Sequence, residues 1–390
     1  MTVFKSIKKN LLATDYVFVL LICALSIFGI VVIGSVTNVH TNPYSTLQSM
    51  QRLAFGTGLV LFFIVSQIDY KFIAKFYWLI YALNIGLLMA VILIGDAQQG
   101  ADVTRQLTIL GQNIQPSQFS KIFMIIFLAT FVEKYNDRIN NPLFIILLGG
   151  LVLLPVILVQ RQPSLSASLV VAFVSMVIIF VSGISYKYVF AAVSITFPLL
   201  TVGGFDIIRG SGNTLFIHNF MAEYQIDRVA MLLQRDIDNP LFFQNRHSLH
   251  ALGSGQLTGK GLYNGTVNQL NALPEAHNDF IFAVIGEEFG FIGANLVLIL
   301  MLILIIKCIK IAYFASTQTG KLIAIGAASM LFFHTFIHVG VVTNVLPNTG
   351  ISLPFISYGG SSMWVMMATM GMVMNVHNNS KPKSFFEEES

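Results

Sequence analysis

The chain has 390 residues, of which 55% are hydrophobic and only 10% are charged, and its net charge is +4. Soluble globular domains carry about 25% charged residues, so this composition excludes them and indicates an all-α protein that crosses a membrane many times. In such a protein the distribution of basic residues between the two sides of the membrane is informative, and the small net charge gives no sign of nucleic-acid binding.

Apolar runs of about 17–25 residues predict the transmembrane helices. We place ten spans in a single membrane domain over residues 1–390, with a short cytoplasmic tail at about 378–390. Lysines and arginines gather in the loops and ends of one side, which predicts that both termini are cytoplasmic. The spans lie near residues 15–37, 52–69, 73–95, 116–133, 142–160, 164–183, 186–203, 279–306, 322–345 and 351–377.

Span four begins at Pro116 and continues SQFSKI. Lys121 lies four residues after Ser117 on the same helical face, at a depth where an unpaired ammonium is unfavourable. We therefore expect a carboxylate, a diphosphate or a water-filled cavity near Lys121. The alternative is a side chain that extends to the outer headgroups.

The connection between spans seven and eight, about residues 204–278, is the only large polar region and is predicted to face outside. Its residues 221–234 predict a short amphipathic helix at the interface. A loop of this length in a compact membrane protein points to function. GSGQLTGKG at 253–261 lacks the spacing of a phosphate loop, so Lys260 either contacts a lipid-linked phosphate or lies in a simple turn.

Residues 271–293, NALPEAHNDFIFAVIGEEFGFIG, join a charged turn to an apolar helix. An asparagine N-cap predicts that the helix starts near Asp279. Gly286 and Gly290 then share a face with Asp279 and let a neighbouring helix approach closely, while Glu287 lies about 12 Å further along the axis. Ionisable groups in such places are candidate functional residues. Those of the turn are Glu275, His277 and Asp279.

Residues 346–362, LPNTGISLPFISYGGSS, predict a helix start that two prolines and three glycines interrupt. Irregular backbone at membrane depth is tolerated only against protein or a cavity.

The histidines His247, His250 and His277 do not have the spacing of a zinc site. A divalent cation such as Mg²⁺ or Mn²⁺, held by carboxylates and a diphosphate, is the more reasonable cofactor, although no motif demands one. We assign no metal ligand, and Asp279 and Glu275 are the residues that such an ion would use.

Together these segments resemble the SEDS family (FtsW/RodA/SpoVE) of bacterial cell-wall synthesis. The resemblance runs through nearly the whole chain and leans toward the RodA branch. It implies a ten-helix fold in the bacterial plasma membrane, a peptidoglycan glycosyltransferase that polymerises lipid II, and a class B penicillin-binding protein as partner. The matching segments are IQPSQFSKI, RQPSLSAS, the block SLHALGSGQLTGKGLYNGTVNQLNALPEAHNDFIFAVIGEEFG, and LPNTGISLPFISYGGSS.

The resemblance implies that Asp279 is the catalytic residue. As a general base it would take the proton from the GlcNAc 4-hydroxyl while that oxygen attacks the MurNAc anomeric carbon. The leaving undecaprenyl diphosphate needs positive charge or a metal. The candidate substrate-binding or supporting residues are Arg105, Ser117, Lys121, Arg228, Lys260, Glu275 and His277.

Four positions depart from the family pattern. Gln118 stands where the family usually has Glu, and Ser164 where it has Asp. Arg105 is followed by Gln where the family has Trp, and Asn278 replaces a Thr. The two lost carboxylates keep a non-catalytic scaffold that recruits a transpeptidase open as an alternative. A lipid II flippase is the other alternative, although we find no inverted repeats.

Overall fold

The computed structural model describes residues 14–37, 46–94, 96–97, 104–109, 112–162, 164–191, 194, 228, 240–269 and 273–380. These residues form helices and one small sheet, so the all-α prediction is confirmed as the fold class. The helices are α1 Tyr16–Thr37, α2 Thr46–Gln67, α3 Tyr70–Ala74, α4 Tyr77–Ile94, α5 Pro116–Lys134, α6 Pro142–Arg161, α7 Leu165–Val181, α8 Pro240–Ser254, α9 Thr266–Gln269, α10 Ile281–Tyr313, α11 Gln318–Val342 and α12 Gly360–Asn378, with a 3₁₀ turn at Asn136–Arg138.

Seven of these helices, namely α1, α2, α4, α5, α6, α10 and α11, are long and apolar enough to cross a membrane. Helix α7 is apolar but has 17 residues, and α12 coincides with most of the tenth predicted span. The multi-pass architecture is therefore confirmed. The seventh span at 186–203 and the interfacial helix at 221–234 lie largely outside the described residues, so the number ten and the side of each terminus stay predictions.

Helices α5 and α11 form the centre of the bundle, since 72% and 61% of their apolar windows are buried. Helix α5 packs against α4, α7 and α11, while α10 packs against α1, α8 and α11, and α12 lies along α2. The outer helices expose large apolar side chains, as expected for surfaces that face lipid. By contrast, the central helices bury the polar side chains of Lys121 and His334.

The small sheet lies in the connection between α4 and α5, where the sequence had predicted no strand. Its antiparallel strands are β1 Asp96–Ala97, β2 Thr104–Ile109 and β3 Gln112–Ile114, in the order β1-β2-β3. The pairing sets Leu107 opposite Ile114. An antiparallel ladder gives the backbone of this polar segment hydrogen-bond partners that a single extended strand lacks.

Helix α10 differs from the helix that the sequence predicted. It begins at Ile281 rather than Asp279, and it breaks at Gly290, which has φ 67° and ψ −168°. This left-handed φ is accessible to glycine without strain. The predicted close approach at Gly286 and Gly290 is present, but it is made by α8 and the turn after it. A Cβ on Gly290 would lie 2.3 Å from the backbone nitrogen of Gly259.

The turn after α8 supplies the hydrogen bonds that the break in α10 would otherwise leave unmade. The N–H groups of Phe291 and Ile292 donate to the carbonyls of Gln256 and Leu257, at 2.8 and 3.1 Å. Buried backbone groups need such partners. Part of the region predicted as a loop is therefore a structural element, packed into α10.

Candidate active site

A cavity of about 530 Å³ opens where five segments of the bundle meet. These are the start of α5, the start of α7, the turn before α10, the middle of α11 and the segment before α12. Its lining is mostly polar, although it lies among apolar helices. The lining residues include Gln115, Gln118, Lys121, Ser164, Arg228, Glu275, Asn278, Asp279, His334, Thr349, Gly350, Ser352, Tyr358 and Ser361.

A tight turn before α10 brings two carboxylates to this cavity. The N–H groups of Asn278 and Asp279 both donate to the carbonyl of Glu275, at 2.9 and 3.0 Å. Glu275 itself has a φ of 54°, a conformation that residues other than glycine rarely adopt. The Asn278 amide also donates to Glu275 Oε2 at 3.0 Å. Backbone strain of this kind is typical of functional sites.

The segment before α12 holds the turn in place. The N–H of Tyr358 donates to the carbonyl of His277 at 3.0 Å, and the Ser357 hydroxyl donates to the carbonyl of Asn278 at 2.9 Å. These two bonds join residues that are far apart in the chain. The position of Asp279 therefore depends on the broken helix start that the sequence analysis noted.

Gly350 lies directly against Asp279. It has a φ of 71°, and a Cβ at this position would be 3.5 Å from Asp279 Oδ2. Its N–H donates to Asn348 Oδ1 at 3.0 Å, and the Arg228 Nη1 donates to the Asn348 carbonyl at 3.0 Å. The guanidinium and the carboxylate thus lie on the same wall of the cavity.

Lys121 lies deep in the cavity and is only 2% exposed. Its Nζ donates to Gln118 Oε1 at 2.6 Å and to His334 Nε2 at 3.1 Å. In the part of the chain that the structure describes, no carboxylate forms an ion pair with it. The ammonium thus has hydrogen-bond partners but no counter-ion among the described residues, which is rare at this burial.

Four of the eight sequence-predicted residues thus meet in one cavity, and three, Ser117, Lys260 and His277, are absent from its lining. Ser117 is buried in α5 and is absent from the lining. Arg105 lies on β2, where the structure describes only its backbone. Lys260 lies elsewhere, in contact with α10. Those that line the cavity are Asp279, Glu275, Lys121 and Arg228.

His277 lies behind the turn rather than in the cavity. Its ring packs against that of Tyr358 with 5.6 Å between centroids, and its Nε2 is 3.6 Å from Glu275 Oε2. Burial lowers the pKa of His277, and the Glu275 carboxylate opposes that effect. The arrangement suits a residue that supports the turn.

A profile of the FtsW/RodA/SpoVE family, described as cell cycle protein, matches residues 14–382. The chain belongs to this family. The peptidoglycan glycosyltransferase MrdB of Escherichia coli (strain K12) is 33% identical over 373 residues, which cover 94% of each protein. Stage V sporulation protein E of Bacillus subtilis (strain 168) is 33% identical over 335 residues, covering 85% of this chain and 87% of that one.

Solved structures agree with the family assignment. A chain from a peptidoglycan synthase complex, described by its structural coordination of polymerization and crosslinking, has a TM-score of 0.76 and 26% identity. It covers 94% of this chain and 98% of its own length. The rod shape determining protein RodA of Thermus thermophilus has a TM-score of 0.68 and 25% identity. The match covers 96% of this chain and 100% of the RodA chain.

His334 of this FtsW/RodA/SpoVE protein is a further cavity residue, and it was not among the residues predicted from the sequence. His334 lines the cavity, and His338 lies one turn further along α11, with both side chains almost fully buried. Two histidines four residues apart occupy one face of an apolar helix. Such ionisable groups inside a span are functional candidates, so their spacing was the usable signal.

No ready-made metal centre is evident in the described part of this FtsW/RodA/SpoVE protein. Its described residues contain no group of three or more His, Cys, Asp and Glu side chains placed to hold an ion. The cavity does contain the carboxylates of Glu275 and Asp279. One or two carboxylates together with substrate phosphates are a usual ligand set for Mg²⁺, so the residues present fit a cation that arrives with a diphosphate.

Proposed function

We propose that this protein is a peptidoglycan glycosyltransferase that polymerises lipid II into glycan strands on the outer side of the bacterial plasma membrane. The observation that carries the proposal is a single cavity lined by the carboxylates of Asp279 and Glu275 and by the cationic groups of Lys121 and Arg228. Transfer from a lipid diphosphate needs a base for the acceptor and positive charge for the leaving group. The names of the relatives support the same activity.

The reaction is one inverting displacement. The oxygen of the acceptor GlcNAc 4-hydroxyl attacks the donor MurNAc anomeric carbon, and Asp279 takes the hydroxyl proton. The bond from that carbon to the diphosphate oxygen breaks, and its electron pair leaves with undecaprenyl diphosphate. An α-linked donor thereby yields a β-linked glycan without a covalent glycosyl-enzyme. Lys121 and Arg228 stabilise the diphosphate charge, and Glu275 supports Asp279.

A divalent cation, Mg²⁺ or Mn²⁺, is part of this proposal. Asp279 and Glu275 would hold it together with the diphosphate oxygens. When bound, it would add positive charge at the leaving group. Chelation should then lower polymerisation and donor binding, and added Mg²⁺ or Mn²⁺ should restore both. Full activity in excess chelator would contradict a role for the ion.

We further propose that a class B penicillin-binding protein is the partner and that the chain acts in cell elongation. The solved peptidoglycan synthase complex and the similarity to MrdB support these assignments. Both termini are proposed to be cytoplasmic, on the distribution of basic residues. Co-purification with class B penicillin-binding proteins from the native membrane tests the partner.

The decisive experiment is lipid II polymerisation by the purified protein, alone and with its partner. Asp279→Asn keeps the size of the side chain and removes the base, so we expect polymer formation to fall by about 100-fold or more. Asp137→Asn is a matched control, since Asp137 is exposed in the 3₁₀ turn far from the cavity lining. Equal activity of Asp279→Asn and wild type would reject Asp279 as the base.

A specific observation also supports the scaffold alternative. Gln118 and Ser164, which stand where the family resemblance implies carboxylates, both line the cavity. A protein that forms no polymer under either condition, yet still binds its partner, would be a scaffold. Gain of polymerisation in Gln118→Glu with Ser164→Asp would then identify the missing groups.

A further inference from the structure

His334 connects two walls of the cavity. Its Nδ1 lies 3.0 Å from the carbonyl oxygen of Ser352, and its Nε2 lies 3.1 Å from Nζ of Lys121. Only 1% of the side chain is exposed. The mechanism above gives this histidine no part.

The two contacts define which nitrogen of His334 carries the proton. A carbonyl oxygen only accepts hydrogen bonds, so Nδ1 carries the hydrogen and donates to Ser352. A lysine ammonium only donates, so Nε2 presents its lone pair to Lys121. The neutral imidazole with its proton on Nδ1 is therefore the form that satisfies both neighbours.

The partners of Lys121 hold its ammonium without neutralising it. Gln118 accepts through Oε1 at 2.6 Å and His334 through Nε2 at 3.1 Å, and both are uncharged. A buried charge without a counter-ion favours an anion in the space beside it. Because Lys121 lines the cavity, that space is the cavity.

The other contact of His334 leads to the catalytic carboxylate. Ser352 follows two residues after Gly350, and a Cβ on Gly350 would lie 3.5 Å from Asp279 Oδ2. The segment 350–352 thus lies between His334 and Asp279. The side chain of His334 therefore joins Lys121 to the backbone segment that packs against Asp279.

We propose that His334 is a positioning residue that sets the separation between Lys121 and Asp279. In the proposed reaction Lys121 stabilises the leaving diphosphate and Asp279 takes the proton of the attacking hydroxyl. A small change in their separation would misalign both at once. This inference rests on the proposed glycosyltransferase function.

Three variants separate positioning from simple stability. His334→Gln keeps one donor and one acceptor, whereas His334→Leu removes both. His338→Leu is the matched control one turn along α11: His338 Nδ1 donates to the Ile351 carbonyl at 2.7 Å, but its Nε2 has no hydrogen-bond partner among the described residues. The measurements are kcat and KM for lipid II, inhibition by undecaprenyl diphosphate, and thermal stability in detergent.

We expect His334→Leu to lower kcat by about tenfold or more and to weaken inhibition by undecaprenyl diphosphate by a similar factor. His334→Gln should recover most of both quantities, and His338→Leu should keep the inhibition constant of the wild type. If His334→Leu does not fold, His334→Asn replaces it with the same expectation, because its shorter side chain does not span both partners.

The inference is overturned if His334→Leu turns over lipid II and is inhibited by undecaprenyl diphosphate like the wild type. It is also overturned if His334→Gln is as defective as His334→Leu. Failure of the proposed function looks different. In that case the wild-type protein forms no polymer from lipid II, alone or with its partner, whereas the effect of His334→Leu on binding of undecaprenyl diphosphate still decides whether His334 positions Lys121.

Discussion

The ammonium of Lys260 lies 2.7 Å from Oε1 of Glu287, a carboxylate with no exposed surface. Thr266 and the N–H of Val267 donate to the same oxygen, each at 3.0 Å. The sequence left two interpretations of Lys260 open, a contact with a lipid-linked phosphate or a place in a simple turn. The structure places Lys260, which is partly exposed, in a polar cluster that links the turn after α8 to α10, and the phosphate contact stays a prediction.

Loss of the Lys260 charge should destabilise the protein. Lys260→Met leaves the buried Glu287 carboxylate without its cation, which costs about 3–5 kcal/mol for a fully buried pair and less here, since Lys260 is 26% exposed. Thermal denaturation in detergent should show a lower midpoint, partly recovered by adding Glu287→Gln. A variant with normal stability but weakened binding of undecaprenyl diphosphate would support the phosphate contact instead.

Alanine at Gly290 should disrupt the break in α10. With φ 67° and ψ −168°, Gly290 lies in a region that essentially only glycine adopts, so a side chain costs about 1–3 kcal/mol, and the new Cβ would collide with the backbone at Gly259. Gly86→Ala in α4 is the control, because a Cβ there meets nothing within 4 Å and alanine favours a helix. We expect a lower thermal midpoint for Gly290→Ala only. Equal midpoints would show that the break is adaptable.

Alanine at Gly350 should lower turnover more than stability. The change strains a φ of 71° and crowds the carboxylate of Asp279. Gly183→Ala provides the same kind of strain, at φ 97°, in a place where a Cβ meets nothing within 4 Å. Both variants should lose some stability, and kcat should fall by about tenfold or more in Gly350→Ala alone. An equal fall of kcat in Gly350→Ala and Gly183→Ala would point to backbone strain as the sole cause.

The lowered pKa of His277 predicts how stability depends on pH. Burial keeps the folded pKa below the ordinary value of 6.5, so the unfolded chain binds the proton more readily. The contribution of His277 is constant above about pH 6.5 and declines as the pH falls through the folded pKa. Thermal midpoints between pH 7.5 and pH 5 should fall less steeply in His277→Asn. Parallel curves for variant and wild type would contradict this prediction.

Much of the architecture follows from local properties of the chain. The apolar runs predicted the spans because a membrane helix requires about 20 apolar residues in a row, and that requirement is visible in any window of the sequence. The turn at Glu275–Asp279 and the broken start of α12 were recognisable for the same reason, since proline, glycine and asparagine act on their immediate neighbours. These signals need no knowledge of distant contacts.

The composition of the cavity depended on packing between distant segments. The sequence by itself determined that the chain is a multi-pass membrane protein and that Asp279, Glu275 and Lys121 are candidate functional residues, because ionisable groups beside or within membrane spans are unfavourable. Only the tertiary structure showed that His334 contacts Lys121 and that Lys260 forms an ion pair with Glu287. The packing of the helices decides which charged groups come into contact. The spacing of residues within one helix does not show which residue of another helix lies opposite.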